Sequence, residues 1–378
     1  MDTKTKKIID AFKKQGARIE TAARVKLAGK KDFSLWYTPG VGAAALHLAK
    51  HPEDARKMSI KKNSVAIVSD GSAVLGLGNI GPYGALPVME GKALIFKEKA
   101  NIDAWPLVLN TQDPDEIVRI VKAIEPNFGG INLEDIAAPK CFEIEERLIK
   151  ELDIPVMHDD QHGTAIVVLA GLINAAKVVK KDFKKLKVVI SGAGAAGTAV
   201  AKLLVTSGIK DIILLDRQGT IYAGRAGLNS HKASLAKLTN PRKIRGDLTL
   251  AMRKADVFLG VSGKGLLKAE HIVSMAPRSI VFAMANPDPE ILPGEAYKAG
   301  ASVVATGRSD YPNQINNSLV FPGIFRGALD KGVKKITTET KLRAAIALAA
   351  LIKNPTASEI IPDMLDTRVV ETVARAVR

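Results

Sequence analysis

A single cysteine, Cys141, in 378 residues removes intramolecular disulfides and cysteine-cluster metal sites from consideration and fits a reducing compartment. No run of about 18 uncharged apolar residues exists to cross a bilayer. The first residues, MDTKTKKIIDAFKK, set no apolar run beside their lysines as an export signal requires. The expected location is therefore the cytoplasm, with no membrane partner. Aromatics are scarce at 4%, which argues against the basic surface interleaved with aromatics that reads nucleic acid. Acids are outnumbered: 55 Lys and Arg against 39 Asp and Glu leave a formal charge of +16. That excess is scattered, apart from KKDFKKLK at 180–187, and draws anions in general, nucleotides and small carboxylates included. Neither an internal repeat nor a low-complexity linker is present. What remains is an ordinary globular composition, 47% apolar and 25% charged, which excludes disordered, collagen-like and coiled-coil chains. At about 150 residues per domain, the length suggests two domains.

Apolar residues at helical spacing (Ile8, Ile9, Phe12, Ile19, Ala22, Ala23) predict a helix over 4–30. Residues 34–42 (SLWYTPGVG) read as a loop, where proline and two glycines display side chains on irregular backbone. A strand is expected at 64–69, a turn at Asp70-Gly71, and a second strand returning over 73–77. Apolar runs follow at 92–96 and 106–109, then helices from Asp113 to about 125 and over 139–152. The strand at 130–133 leads into Glu134-Asp135, and 154–157 leads into HDDQHG at 158–163. From Thr164 a long apolar helix runs to about 180. Beyond it, apolar runs at 188–190, 212–215, 257–260, 280–283 and 302–305 alternate with helices, as strands of a parallel sheet covered on both faces do. The fold class is thus α/β, with an N-terminal α/β domain over 1–162 and a doubly wound, Rossmann-like parallel-sheet domain over 163–378. Helices near 340–352 and 359–377 are free to pack on either.

Two G-x-G-x-x-G strings occur, Gly76 to Gly81 and Gly192 to Gly197. The second has the setting that dinucleotide binding demands. It follows a strand, opens a helix of small residues, and is followed by a strand ending in Asp216. Gly192, Gly194 and Gly197 let backbone approach a pyrophosphate, Ala195 and Ala196 supply N–H groups at the helix start, and Asp216 is placed to hold a ribose diol. The acid favours NAD, although Arg217, Arg225 and Lys232 nearby suit the extra phosphate of NADP. In the first string Pro82 and Gly84 are expected to interrupt any helix, so it reads as a glycine-rich hairpin or a floor that admits a ligand.

Glu134-Asp135 and Asp159-Asp160 each follow an apolar strand, so hard oxygen donors could converge at strand ends, a pattern suited to Mg²⁺ or Mn²⁺. His158 and His162 lack a third nitrogen or sulfur partner for zinc and read as supporting or structural histidines. Lys92, after Gly91, is a candidate base whose burial would lower its pKa. Tyr37 is a candidate phenolic acid, and Cys141 reads as a helix-face residue.

These strings together resemble the malic enzymes, in the short microbial form. They are WYTPGVG at 36–42, DG at 70–71 with LGLGNIG at 75–81, EGK at 90–92, NLED at 132–135, HDDQHGT at 158–164, the second glycine loop, ANP at 285–287, and NN at 316–317 ahead of FPG at 321–323. The resemblance implies oxidative decarboxylation of L-malate to pyruvate and CO₂ with reduction of NAD or NADP. It also implies a divalent metal, Mg²⁺ or Mn²⁺, and a homodimer or larger homo-oligomer. It further implies Glu134, Asp135 and Asp160 as metal ligands, Lys92 as general base and Tyr37 as general acid. Asn286 and Asn317, with Asn316 beside them, become substrate contacts near the nicotinamide. One departure is clear: larger members carry a carboxylate-gripping arginine where this chain has Ala73, so that contact is unassigned. Two other readings stay open. One is a metal-independent dehydrogenase of another small acid or an amino acid on a similar layout. The other is a non-catalytic protein that binds nucleotide or nucleic acid.

Overall fold

The computed structural model describes residues 2–378 and contains two parallel sheets. The first holds β1 (Ser64–Ser69), β2 (Asp103–Val108), β3 (Gly130–Leu133) and β4 (Val156–His158), in the order β2-β1-β3-β4. The second holds β5 (Lys187–Ser191), β6 (Asp211–Asp216), β7 (Gly219–Thr220), β8 (Val257–Gly260), β9 (Ile280–Ala283) and β10 (Val303–Thr306). Its order is β10-β9-β8-β5-β6-β7, with only β7 antiparallel. Strand order reverses at β5, and in such sheets the crevice beyond the strand ends at the reversal takes the ligand.

The helix Asp159–Val178 leaves β4 and packs on the helix Ala195–Thr206 of the second sheet. Residues of both sheets share one core through it, so Val65 and Phe96 belong to the same cluster as Val188 and Phe282. The chain then returns. Phe321 and Phe325, on the helix Phe321–Lys331, pack on Phe96 at 4.7 and 5.6 Å between ring centroids. That helix in turn contacts the last helix, Arg368–Ala376, while Thr338–Ala350 packs on Asp159–Val178. The C-terminal helices thus brace the first lobe and the connecting helix. Among the described residues no helix is long and apolar enough to cross a membrane.

The second half follows the expected alternation closely, and the first half departs from it. The first helix stops at Gln15, where Gly16 takes φ +67°, so 16–29 is irregular instead of helical. The expected loop at 34–42 is mostly helix, with Lys30–Trp36 and Gly40–Lys50 flanking a short turn at Tyr37. Residues 73–77 form no strand, only a bridge between Val74 and Gly78. Pro82 and Gly84 do not interrupt a helix. Gly81–Ala100 is one continuous helix, with Pro82 in its first turn, where the missing N–H costs no helical hydrogen bond. Lys92 therefore stands mid-helix. The connecting helix starts at Asp159 rather than Thr164, which puts Asp159 and Asp160 in its first turn, and the last helix is shorter than 359–377.

Candidate active site

Three carboxylates meet at the C-terminal edge of the first sheet. Glu134 and Asp135 follow β3, and Asp160 lies in the helical turn after β4. One oxygen from each lies within 4.8 Å of the others. Asp135 takes φ +54°, a left-handed conformation that aspartate tolerates better than most residues. That turn brings its backbone N–H to donate to Asp160 Oδ2 at 2.8 Å, while its Oδ1 accepts from the Leu75 N–H at 3.3 Å. Asn132 shares a face with Glu134 at the strand's period of two, and donates to its Oε2 at 2.9 Å.

Lys92 reaches this cluster from the Gly81–Ala100 helix, its Nζ 2.5 Å from Glu134 Oε1 and 2.5 Å from Asp159 Oδ2. Nζ also lies 4.4 Å from the centre of the Phe321 ring. Burial alone would lower the lysine pKa as expected, but Asp159 and Glu134 outweigh it and hold the ammonium above its ordinary value. Burial followed by Asp160 pushes Asp135 up to about 7, and burial raises Glu134 well above the usual carboxylate range despite Lys92. Asp135 Oδ2 is buried with no hydrogen-bond partner. Three oxygen donors crowded at high mutual cost, one of them unpartnered, fit a hard divalent cation such as Mg²⁺ or Mn²⁺.

Several supports were not anticipated from sequence. Asp159 is the second partner of Lys92, and Gly163 makes room for it, since a Cβ there would lie 1.9 Å from Asp159 Oδ1. Glu145, on the helix Lys140–Glu151, accepts from the His158 N–H at 2.8 Å, Gln161 Nε2 at 3.0 Å and His162 Nε2 at 2.9 Å, and so fixes the turn that carries Asp159 and Asp160. Burial pushes the Glu145 pKa up, yet His162 and Lys341 bring it down to about 2. His158 is fully buried, its Nδ1 3.8 Å from Asp160 Oδ2. Cys141 is buried, and burial pushes its thiol pKa up, consistent with an inert packing residue.

The cluster opens into a cleft of about 490 Å³ that Lys92, Glu134, Asp135 and Asp160 line from one lobe and Ala196, Asn286, Asn316 and Asn317 from the other. The Asn316 side chain caps the turn at Ser318. Gly76, in the first glycine string, makes the lobe-to-lobe contact, because a Cβ there would fall 1.7 Å from the Asn286 carbonyl oxygen. Leu75 and Gly76 also line the cleft, so the string forms part of its wall.

Next to the cleft lies a larger cavity of about 920 Å³, lined by Gly192, Gly194, Asp216, Arg217 and Lys232. Gly192 takes φ +114° with its Cβ position against the Val261 carbonyl, and a Cβ on Gly197 would strike the Gly192 oxygen at 1.8 Å. Gly194 faces open space. Ala195 begins the helix and packs on the first lobe's core. Asp216 is held by Arg225 through both oxygens and by Lys232 Nζ at 2.7 Å, which keeps its pKa down at about 2 against the opposing effect of burial.

Residues 16–149 match the family model of the malic enzyme N-terminal domain, and 161–378 match that of the malic enzyme NAD binding domain. The chain belongs to the malic enzyme family. It is 54% identical to an NAD-dependent malic enzyme of Geobacillus stearothermophilus, over 96% of this chain and 76% of that one. With a bifunctional malic/malolactic enzyme of Bacillus subtilis the identity is 53%, over 95% and 88%. A crystal structure of an NAD-dependent malic enzyme from Thermotoga maritima superposes with a TM-score of 0.95 at 47% identity, covering 100% of this chain and 99% of that one.

One expected site residue is elsewhere. Tyr37 is 65% exposed and is not among the residues lining the cleft. The chain before it is held at two places: Arg18 pairs with Glu90 at 3.0 Å on the helix that carries Lys92, and Arg24 pairs with Asp103, which opens β2, where Asn63 Nδ2 also donates to Asp103 Oδ2 at 3.0 Å. The carboxylates lie past the opposite ends of the first sheet's strands.

Proposed function

We propose that this chain catalyses the oxidative decarboxylation of L-malate to pyruvate and CO₂ with NAD, accepting NADP as well, and with a divalent cation held by Glu134, Asp135 and Asp160. The observation that carries this reading is the meeting of those three acids with Lys92 in a cleft whose other wall belongs to the glycine-loop domain. When bound, the cation supplies Lewis acidity at the C2 oxygen and the nicotinamide accepts the hydride. Lys92, aimed into the cleft between Glu134 and Asp159, is the group that takes the C2 hydroxyl proton, after passing one of its own ammonium protons to the Asp159 carboxylate that it already contacts at 2.5 Å. Asn286 and Asn317 orient the substrate from the opposite wall, with Asn316 holding the turn that presents Asn317. The lobes, in contact at Gly76 and Asn286, limit water in the cleft.

Tyr37 is the proton donor to C3 once CO₂ has left, and in this reading it comes from a second copy of the chain. Its exposure and its absence from the lining of its own cleft support delivery in trans. So do the exposed Phe33, Leu35, Trp36 and Val41 around it, which form the kind of apolar patch that a partner covers. The acting species is therefore a homodimer or a larger homo-oligomer. For the cofactor, the cations on Asp216 support use of both NAD and NADP, and relatives named for each cofactor match the chain.

The deciding assay is malate-dependent NADH or NADPH formation with and without Mn²⁺, coupled to measurement of pyruvate. Equimolar pyruvate that depends on Mn²⁺ is the expected result. Oxaloacetate as the end product, or turnover indifferent to chelation, would point to a plain or metal-free dehydrogenase and refute this reading.

A further inference from the structure

Malate brings two carboxylates into the cleft, and the inference drawn here rests on the malate reading above. One carboxylate is adjacent to the reacting hydroxyl and shares its surroundings. The remote one needs a positive partner of its own, because a carboxylate taken out of water without one is strongly disfavoured. Ala73 offers no charge. Among the described residues lining the cleft, the positively charged side chains are Lys92 and Lys264. Lys92 is buried between Glu134 and Asp159, which already offset its charge.

Lys264 differs in each respect. It sits in the loop after β8, between Gly263 and Gly265, with its side chain 76% exposed. Its Nζ lies 2.9 Å from Asp288 Oδ2, in the loop that also carries Asn286. Asp288 has a second cation in reach, since Arg308 NH1 lies 3.8 Å from its Oδ1. If Lys264 swings away, Asp288 keeps a counter-ion. A long, solvated lysine flanked by glycine pivots at little cost.

We propose that Lys264 grips the substrate carboxylate remote from the reacting hydroxyl, leaving Asp288 to Arg308 when substrate enters, and that it thereby sets the preference for dicarboxylic 2-hydroxy acids.

Steady-state kinetics with Mn²⁺ and saturating cofactor test the proposal. Lys264→Gln is expected to raise the malate KM roughly tenfold or more, the size of a lost charge-assisted contact, with kcat within about twofold and the NAD KM unchanged. Lys264→Arg should recover most of the loss, and Asp288→Asn, which removes the competing carboxylate, should lower the malate KM. Lys264 is exposed, and equal melting temperatures would exclude a folding defect as the source of these changes. A malate KM unchanged in Lys264→Gln would overturn the proposal. So would a rise in the NAD KM alone, which would assign the lysine to a cofactor phosphate. Absence of malate turnover in the unaltered protein would instead sink the function itself, and this inference with it.

Discussion

The carboxylate cluster and the N-terminal segment show two ways of building a site. Glu134, Asp135, Asp159 and Lys92 are each under a tenth exposed and hold one another through short contacts within a single chain. In contrast, none of residues 2–63 is buried, and Ile8, Phe12, Phe33, Leu35, Trp36 and Tyr37 all face outward. A chain this rich in apolar side chains does not leave so many exposed at no cost, since each large one left in water forgoes about 1.5–3 kcal/mol of burial. The first region is complete as folded. The second leaves its apolar side chains uncovered.

Breaking the complete region should have the largest effect. Asp135→Asn keeps the shape but removes a charged donor, and malate turnover is expected to fall by about two to three orders of magnitude. The loss of Mn²⁺ binding, read by electron paramagnetic resonance, should be as marked, while NAD binding persists. Full Mn²⁺ affinity in that variant would show that the cluster is not the cation's site.

The exposed region invites a sharper test. Lys92→Ala and Tyr37→Phe should each be nearly inactive alone. If Tyr37 acts in trans, unfolding and refolding the two together gives heterodimers with one intact site, and random pairing returns about a quarter of the wild-type activity. If Tyr37 acts within its own chain, each heterodimer still combines a faulty base in one site with a faulty acid in the other, and mixing restores nothing.

How far the sequence foretells these regions depends on how local their causes are. Strands β5, β8 and β9 are contiguous apolar runs because both faces are covered, so their pattern is self-contained. The Gly81–Ala100 helix hides its pattern. Its buried residues Ala85, Met89, Ala93, Phe96 and Ala100 have helical spacing, but Gly81, Pro82 and Gly84 before them and Pro87 and Gly91 among them imitate a loop. The acids at 134–135 and 160 stand out because each follows a strand. The roles of Asn132, Asp159 and Glu145 do not, since they depend on which distant element arrives beside them. Nothing local to Tyr37 tells whether it points into its own cleft.

Glu145 tests how much the complete region depends on such distant support. Its folded pKa of about 2 lies below the ordinary glutamate value of 4.5. The ionised form is therefore favoured in the folded state, and the stabilisation is fully present above pH 4.5 and lost as pH falls toward 2. Glu145→Gln is expected to lose at most about 3 kcal/mol at pH 7, where burial keeps His162 largely neutral and weakens its pull on Glu145, read from urea unfolding midpoints. The gap to wild type should close as the buffer is taken from pH 4.5 downward. A gap constant with pH would mean that Glu145 contributes packing, not charge.

The smallest expected effect lies at Asp216, where the structure tempers a preference that the lone acid suggests. An acid at this strand end selects NAD when its oxygens are free to accept from the ribose diol. Here Arg225 occupies both oxygens and Lys232 shares one, so the corner is net positive before any cofactor arrives. A 2′-phosphate finds two cations nearby, while the NAD ribose must compete for an acceptor already in use. The two cofactors should accordingly differ by no more than about tenfold in kcat/KM. Lys232→Ala removes one cation and leaves the Arg225 pair, so it should lower kcat/KM for NADP by about tenfold and leave that for NAD nearly unchanged. Because this corner, like the carboxylate cluster, is built from one chain, the effect should not be rescued by mixing with Tyr37→Phe beyond the intact sites that random pairing creates. Equal losses for both cofactors would show that Lys232 supports the fold of the loop and takes no part in reading the phosphate.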